Sequence, residues 1–231
     1  MVHFVRFLLM LAILAVGSWW LRPRDESVKS AEVSFVERAA QSGCLNQHSM
    51  VKLADEFANV MPWLSSVGAA AAAADYDNDG FADLYVTNSG RRDTNRLFRN
   101  RGDGTFEDVT SAAEVECGNP QGASMHAVWG DVDNDGRLDL YVVKWAEPNQ
   151  LFRQTEGGTF TDIGKEAGVD YWGYGNGATF LDYDRDGKLD LLVGNYFAET
   201  VIGQFTGKPV RNDLWHPRST RVMHETFTHA R

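Results

Sequence analysis

Short apolar runs alternate with acidic turns along this chain. Leu84-Tyr-Val-Thr87, Leu140-Tyr-Val-Val143 and Leu191-Leu-Val-Gly194 are aliphatic, aromatic and β-branched, and each predicts a strand. Each follows an acidic segment, and each acidic segment follows a run of small residues. Those runs are Gly68–Ala74, Gly122–Val128 and Gly175–Leu181. The run Ala69–Ala74 would favour helix on propensity alone. Its two counterparts carry Gly, Ser, Thr, Val and Phe in the same register, so it is read as a strand on the crowded inner side of a sheet. Downstream come Asn95-Arg-Leu-Phe98, Asn149-Gln-Leu-Phe152 and Asn212-Asp-Leu-Trp215, which predict third strands. Gly104-Thr-Phe-Glu-Asp-Val109, Gly158-Thr-Phe-Thr-Asp-Ile163 and, more weakly, Glu225-Thr-Phe227 predict fourth strands. Four short strands in roughly 40–50 residues is the period of a propeller blade. The pattern predicts an all-β fold: a partial β-propeller of about three four-stranded blades, preceded by an N-terminal hydrophobic helix.

The acidic turns are copies of one loop. Asp75-Tyr-Asp-Asn-Asp-Gly-Phe-Ala-Asp-Leu84, Asp131-Val-Asp-Asn-Asp-Gly-Arg-Leu-Asp-Leu140 and Asp182-Tyr-Asp-Arg-Asp-Gly-Lys-Leu-Asp-Leu191 all read D-x-D-x-D-G-x-x-D-L. They begin 56 and then 51 residues apart. Carboxylates at positions 1, 3, 5 and 9 converge only if the backbone curls tightly, and the glycine at position 6 permits the curl. Converging hard oxygens suit calcium and repel one another without it. An EF-hand is excluded: position 12 is Val86, Val142 or Val193 rather than glutamate, and the flanks are strands.

These phrases resemble the FG-GAP/VCBS repeats of integrin-alpha-like β-propellers. Asn-x-Leu-Phe-Arg, Gly-Asp-Gly-Thr-Phe and the aspartate loop resemble most the cartilage-acidic-protein and ASPIC/UnbV-associated branch. The resemblance runs from about Phe35 to the end of the chain. It implies one calcium per loop, about three in all. The ligands would be Asp75, Asp77, Asp79 and Asp83; Asp131, Asp133, Asp135 and Asp139; and Asp182, Asp184, Asp186 and Asp190. The position-7 residues Phe81, Arg137 and Lys188 would each add a backbone carbonyl. Such propellers serve in adhesion proteins, lectins and enzymes, so the resemblance fixes fold and metal more firmly than role.

Charge fits this reading. The formal net charge is −10, from 32 acidic and 22 basic residues, and discounting the twelve loop aspartates leaves +2. The acidity is metal chemistry rather than an acidic tail. No basic stripe or nucleic-acid module is present, so nucleic acid is not an expected partner. No Gly-x-Ser-x-Gly elbow or His-Glu-x-x-His helix occurs, and Gly173–Gly177 lacks dinucleotide-binding spacing. His216 and His224, beside Glu225, are read as packing or surface residues. The chain is not expected to be an enzyme.

The N-terminus sets the compartment. Phe7–Leu21 is fifteen uncharged, mostly apolar residues, flanked by Arg6 and Arg22. That is short of the ~20 residues of a comfortable bilayer span. Ala15-Val-Gly17 suits cleavage, whereas Trp19 and Trp20 suit an uncleaved interfacial anchor, and the anchor is preferred. Either predicts export, to a periplasmic or extracellular space. Residues 1–24 are therefore a signal anchor or signal peptide, 25–34 a linker and 35–231 the repeat region. Phe35–Gly43 resembles the Thr159–Gly168 stretch, so it is expected to be a fourth-strand element. Three blades make an arc, and a longer parent protein with more blades is the expectation.

Two questions stay open at this stage. Cys44 and Cys117 both precede a first strand, and an exported chain could pair them. The face opposite the calcium loops carries the irregular connections and Trp145, Tyr171, Trp172, Tyr174, Tyr196 and Phe197. These rings either form a surface for a protein or glycan partner or pack between blades; the packing reading is favoured. The expected function is an exported calcium-binding scaffold for adhesion or protein–protein interaction. The alternatives are a carbohydrate-binding module of a cell envelope and a noncatalytic part of a larger exported enzyme.

Overall fold

The computed structural model describes residues 34–49, 68–120, 122–195 and 220–223, the last as backbone only. The chain divides into two compact units, Met1–Glu37 and Arg38–Arg231. The expected N-terminal hydrophobic helix and most of the linker lie outside the described residues.

The regular secondary structure of the described part is almost wholly antiparallel strand. β1 (Ala71–Ala74), β2 (Asp83–Val86), β3 (Arg96–Asn100) and β4 (Phe106–Asp108) form a four-stranded meander in chain order. The alanine run is thus a strand, as its register predicted. β5 (Ala123–Gly130), β6 (Asp139–Pro148), β7 (Gln150–Gln154) and β8 (Phe160–Asp162) repeat the meander. β9 (Trp172–Leu181), β10 (Asp190–Asn195) and β11 (Thr220–Met223) begin a third copy. The repeat is exact in register: Leu84 faces Phe98, Leu140 faces Phe152 and Leu191 faces Met223. The third partner strand is therefore Thr220–Met223 rather than Asn212–Trp215, which lies outside the described residues. The fourth-strand motif Glu225–Phe227 lies outside them too.

Each acidic loop joins the first strand of a blade to the second. The loops lie at one end of the strands, and the β2–β3 and β4–β5 connections lie at the other. Strand alternation makes blade 2 the common wall of two cores. Leu140 and Val142 join Tyr76, Tyr85, Leu97 and Val115 of blade 1 in one buried cluster. Tyr141 and Val143 join Leu151 and Val169, with Leu191 and Val193 of blade 3, in the other. Trp129 on β5 stacks on Tyr76 at 6.2 Å and meets Tyr85 edge-on at 6.2 Å, which seats blade 2 against blade 1.

Two further features depart from the sequence reading. β6 continues past its blade, and Trp145–Pro148 pairs with Trp172–Tyr174 of β9, merging the second and third blades into one sheet. Ala146 in the left-handed region (φ 57) makes the irregularity that turns the strand over. Phe35, expected on a fourth strand, is 95% exposed in an irregular segment, whereas its counterpart Phe160 is 2% exposed. The turn that follows does match. α1 (Ala39–Ser42) ends on Gly43 at φ 77, just as the turn after β8 ends on Gly168 at φ 68.

Cys44 and Cys117 are unbridged. Cys117 is buried at the junction of blades 1 and 2, donating to Gln150 Oε1 at 2.6 Å. Beside it is a buried ion pair that the sequence did not announce. Lys144 Nζ lies 2.8 Å from Glu147 Oε2 and donates to the Gly118 carbonyl, while Glu147 Oε1 accepts the Gly122 N–H at 2.7 Å. Removing one partner of a buried pair strands the other charge. Lys144→Ala is expected to cost about 3–5 kcal/mol in urea unfolding. Adding Glu147→Gln, which keeps the acceptor for Gly122 and removes the charge, is expected to recover part of that loss.

Candidate metal centre

Each acidic loop is held open by its own backbone N–H groups. Positions 4 and 6 both take left-handed backbone: Asn78 and Gly80 (φ 58 and 92), Asn134 and Gly136 (56 and 85), Arg185 and Gly187 (65 and 83). This curl turns the N–H groups of positions 5 and 6 onto the position-1 carboxylate. Asp75 accepts from Asp79 and Gly80 at 3.0 and 2.9 Å, and Asp131 from Asp135 and Gly136 at 3.0 and 2.9 Å. Asp182 accepts from Asp186 and Gly187 at 3.1 and 3.0 Å.

The position-9 aspartates tie the loops to the sheet. Asp83, Asp139 and Asp190 sit at the first residue of the second strand and are buried. Each accepts the position-2 N–H: Tyr76 at 3.1 Å, Val132 at 3.0 Å and Tyr183 at 3.0 Å. The other oxygen of Asp83 accepts Asn100 N–H at 2.7 Å, and that of Asp139 accepts Gln154 N–H at 2.9 Å.

Positions 1, 3 and 9 then meet. Asp75, Asp77 and Asp83 each bring one oxygen within 4.8 Å of the others, as do Asp131, Asp133 and Asp139, and Asp182, Asp184 and Asp190. The position-5 aspartates stand outside these trios. Asp79, Asp135 and Asp186 each accept the position-7 N–H, from Phe81, Arg137 and Lys188, at 2.9 Å. Asp135 also pairs with the Arg137 guanidinium.

In the first two loops the gathered carboxylates repel one another. Burial raises the pKa of Asp77, Asp83 and Asp133, and the charge of neighbouring loop aspartates adds to the rise. Burial pushes Asp139 up to about 6, aided by Asp133 and Asp135 and opposed by its two backbone hydrogen bonds. Asp133 Oδ1 is buried with no hydrogen-bond partner. A buried carboxylate oxygen without a donor, among other carboxylates, fits a small hard cation.

The other end of the blades differs from the sequence picture. Trp145 and Tyr174 are buried against each other, 5.1 Å apart and edge-on, because β6 crosses to β9 there. Trp172 leans on Tyr174 at 5.5 Å, and Tyr171 packs on the second core cluster. These rings hold blades together rather than offer a flat surface; Tyr196 and Phe197 lie outside the described residues. What that end does offer is a cavity of about 570 Å³ lined by polar side chains, among them Asn46, Asn88, Arg92, Asp93 and Arg96. Sequence reasoning missed it because its walls come from segments far apart in the chain.

The FG-GAP-like repeat family matches residues 75–142 and 131–193, together just over half of the chain. Both matches begin on the first aspartate of a loop. The chain belongs to the FG-GAP-like repeat family. Among FG-GAP-like relatives, cartilage acidic protein 1 of Xenopus tropicalis is 36% identical over 86 residues, covering 37% of this chain and 13% of that protein. Cartilage acidic protein 1 of Mus musculus is 35% identical over 68 residues, 29% of this chain and 10% of that protein. Integrin alpha-4 of Xenopus laevis is 28% identical over 162 residues, 60% of this chain and 15% of that protein. The matched stretch is thus a small part of each relative's length.

The raised pKa of Asp139 sets a pH dependence. A carboxylate that holds its proton more tightly when folded contributes stability at low pH and loses it as pH rises through its folded value. In chelator, the contribution of Asp139 is therefore lost between about pH 4 and about pH 6 and amounts to roughly 3 kcal/mol. Asp139→Asn, followed by thermal unfolding in chelator across that range, is expected to flatten the fall in stability.

Proposed function

We propose that this chain is an exported calcium-binding propeller scaffold for adhesion or protein–protein interaction, without catalysis of its own. The observation that carries the reading is the threefold trio of loop carboxylates, one with a buried unpartnered oxygen. Calcium in each loop would be held by the aspartates at positions 1, 3 and 9, by position 5, and by the carbonyls of Phe81, Arg137 and Lys188. The ion would neutralise carboxylates that now repel and so stiffen the β1–β2 hairpin of each blade. Residues 7–21 would anchor the chain in a membrane and place the loops outside the cytosol. Calcium there is abundant enough to fill sites of only ~10⁻⁴–10⁻³ M affinity. Among the described residues no helix is long and apolar enough to cross a membrane.

The partner would be a protein bound at the end of the blades away from the loops. A second reading, a glycan ligand, is favoured by the polar cavity there. Its amides and its two arginines suit hydroxyl-rich ligands. An array of immobilised glycans probed with the fluorescent chain separates the two. Binding lost on Arg92→Ala supports the glycan reading, and a blank array sinks it.

The metal assignment is tested by thermal unfolding in calcium and in chelator. Calcium is expected to raise the midpoint by several degrees. The triple change Asp77→Asn, Asp133→Asn and Asp184→Asn is expected to abolish the difference while leaving the protein folded. A folded wild-type chain with the same midpoint in both solutions would refute the assignment.

A further inference from the structure

The first two acidic loops are linked by hydrogen bonds. Gln154 ends β7 in blade 2 and is 4% exposed. Its backbone N–H donates to Asp139 Oδ1 at 2.9 Å, and its side-chain Nε2 reaches across the blade boundary to the Tyr76 carbonyl at 3.1 Å. Tyr76 is position 2 of the first loop, and its own N–H donates to Asp83 Oδ2 at 3.1 Å. A continuous path thus runs from the position-9 carboxylate of loop 1, through Tyr76 and Gln154, to the position-9 carboxylate of loop 2. The equivalent residue in blade 1, Asn100, is one methylene shorter. Its backbone N–H also binds the position-9 aspartate, but its side chain donates to Ala82 of its own blade at 3.0 Å. A second strap lies at the loop tips, where Asn78 Nδ2 is 3.5 Å from the Gly136 carbonyl. The same contact recurs one blade on, with Asn134 Nδ2 3.5 Å from the Gly187 carbonyl.

We infer that Gln154 and Asn78 couple the first two loops, so that calcium in one raises the affinity of the other. The inference rests on the calcium reading above. The Tyr76 carbonyl belongs to the same peptide unit as the amide of Asp77, a position-3 carboxylate. Fixing Asp77 and Asp83 on an ion fixes that carbonyl, which fixes Gln154, which holds Asp139 in place for the second ion. Ordering shared in this way is given up once rather than twice, which is positive coupling. Gln154 is a buried polar residue whose Oε1 has no hydrogen-bond partner, so packing alone gives no reason for an amide there.

The test is a calorimetric calcium titration of the full chain carrying Asp182→Asn, which leaves loops 1 and 2 intact. Two ions are expected, the second bound at least about fivefold more tightly than the first. Adding Gln154→Met, which keeps the bulk, and Asn78→Gly, which keeps the left-handed backbone, is expected to leave two ions bound independently. Circular dichroism on the same samples checks folding. Should Gln154→Met fail to fold, Asn78→Gly alone, at an exposed position, is read and is expected to reduce the steepness. Identical isotherms with and without the changes overturn the coupling. A folded Asp182→Asn chain that takes up no calcium overturns the calcium reading itself.

Discussion

The structure turns on where the position-9 aspartates sit. Asp83, Asp139 and Asp190 open the second strand of each blade, buried, with one oxygen on the N–H two positions into the loop. A carboxylate in such a place costs free energy unless donors or a cation meet it. Backbone donors meet part of that cost, and they also fix where the loop leaves the sheet and where it returns. The remaining charge faces positions 1 and 3. The same residue that sets the hairpin's geometry thereby gathers negative charge at one point.

Blade stacking distributes that constraint. The position-2 residues Tyr76 and Val132, whose N–H groups are held by position 9, are buried between blades. Tyr76 stacks on Trp129 and Val132 joins the next core, so the first two loops are continuous with interblade cores. In the third loop Tyr183 holds the same position and is 55% exposed. Loop order, blade packing and the path through Gln154 are parts of one framework, built on strands whose two faces serve neighbouring cores.

Much of this was legible in the sequence because it is periodic. The D-x-D-x-D-G-x-x-D-L spacing marked the loops, and the aliphatic, aromatic and β-branched runs from Leu84, Leu140 and Leu191 marked the second strands. Comparison of three copies assigned Ala71–Ala74 to a strand against its helical propensity. What was not legible depends on contacts between copies. The crossing of β6 to β9 turns on Ala146 in the left-handed region, which alanine rarely adopts and no composition signals. That crossing buries Trp145 and Tyr174. The third strand of blade 3 was missed because its connection is longer than in blades 1 and 2. Of the four aspartates in each loop, positions 1, 3 and 9 meet within 4.8 Å, and position 5 accepts the position-7 N–H, a detail set by backbone hydrogen bonding.

The most direct measurement is the number of calcium ions that the folded chain retains, counted by native mass spectrometry after exchange into a volatile buffer containing calcium. Three ions per chain are expected, falling to two when Asp131→Asn disables the middle loop. A folded chain that carries no ion, or carries the same number after that change, would contradict the assignment of the loops as calcium sites.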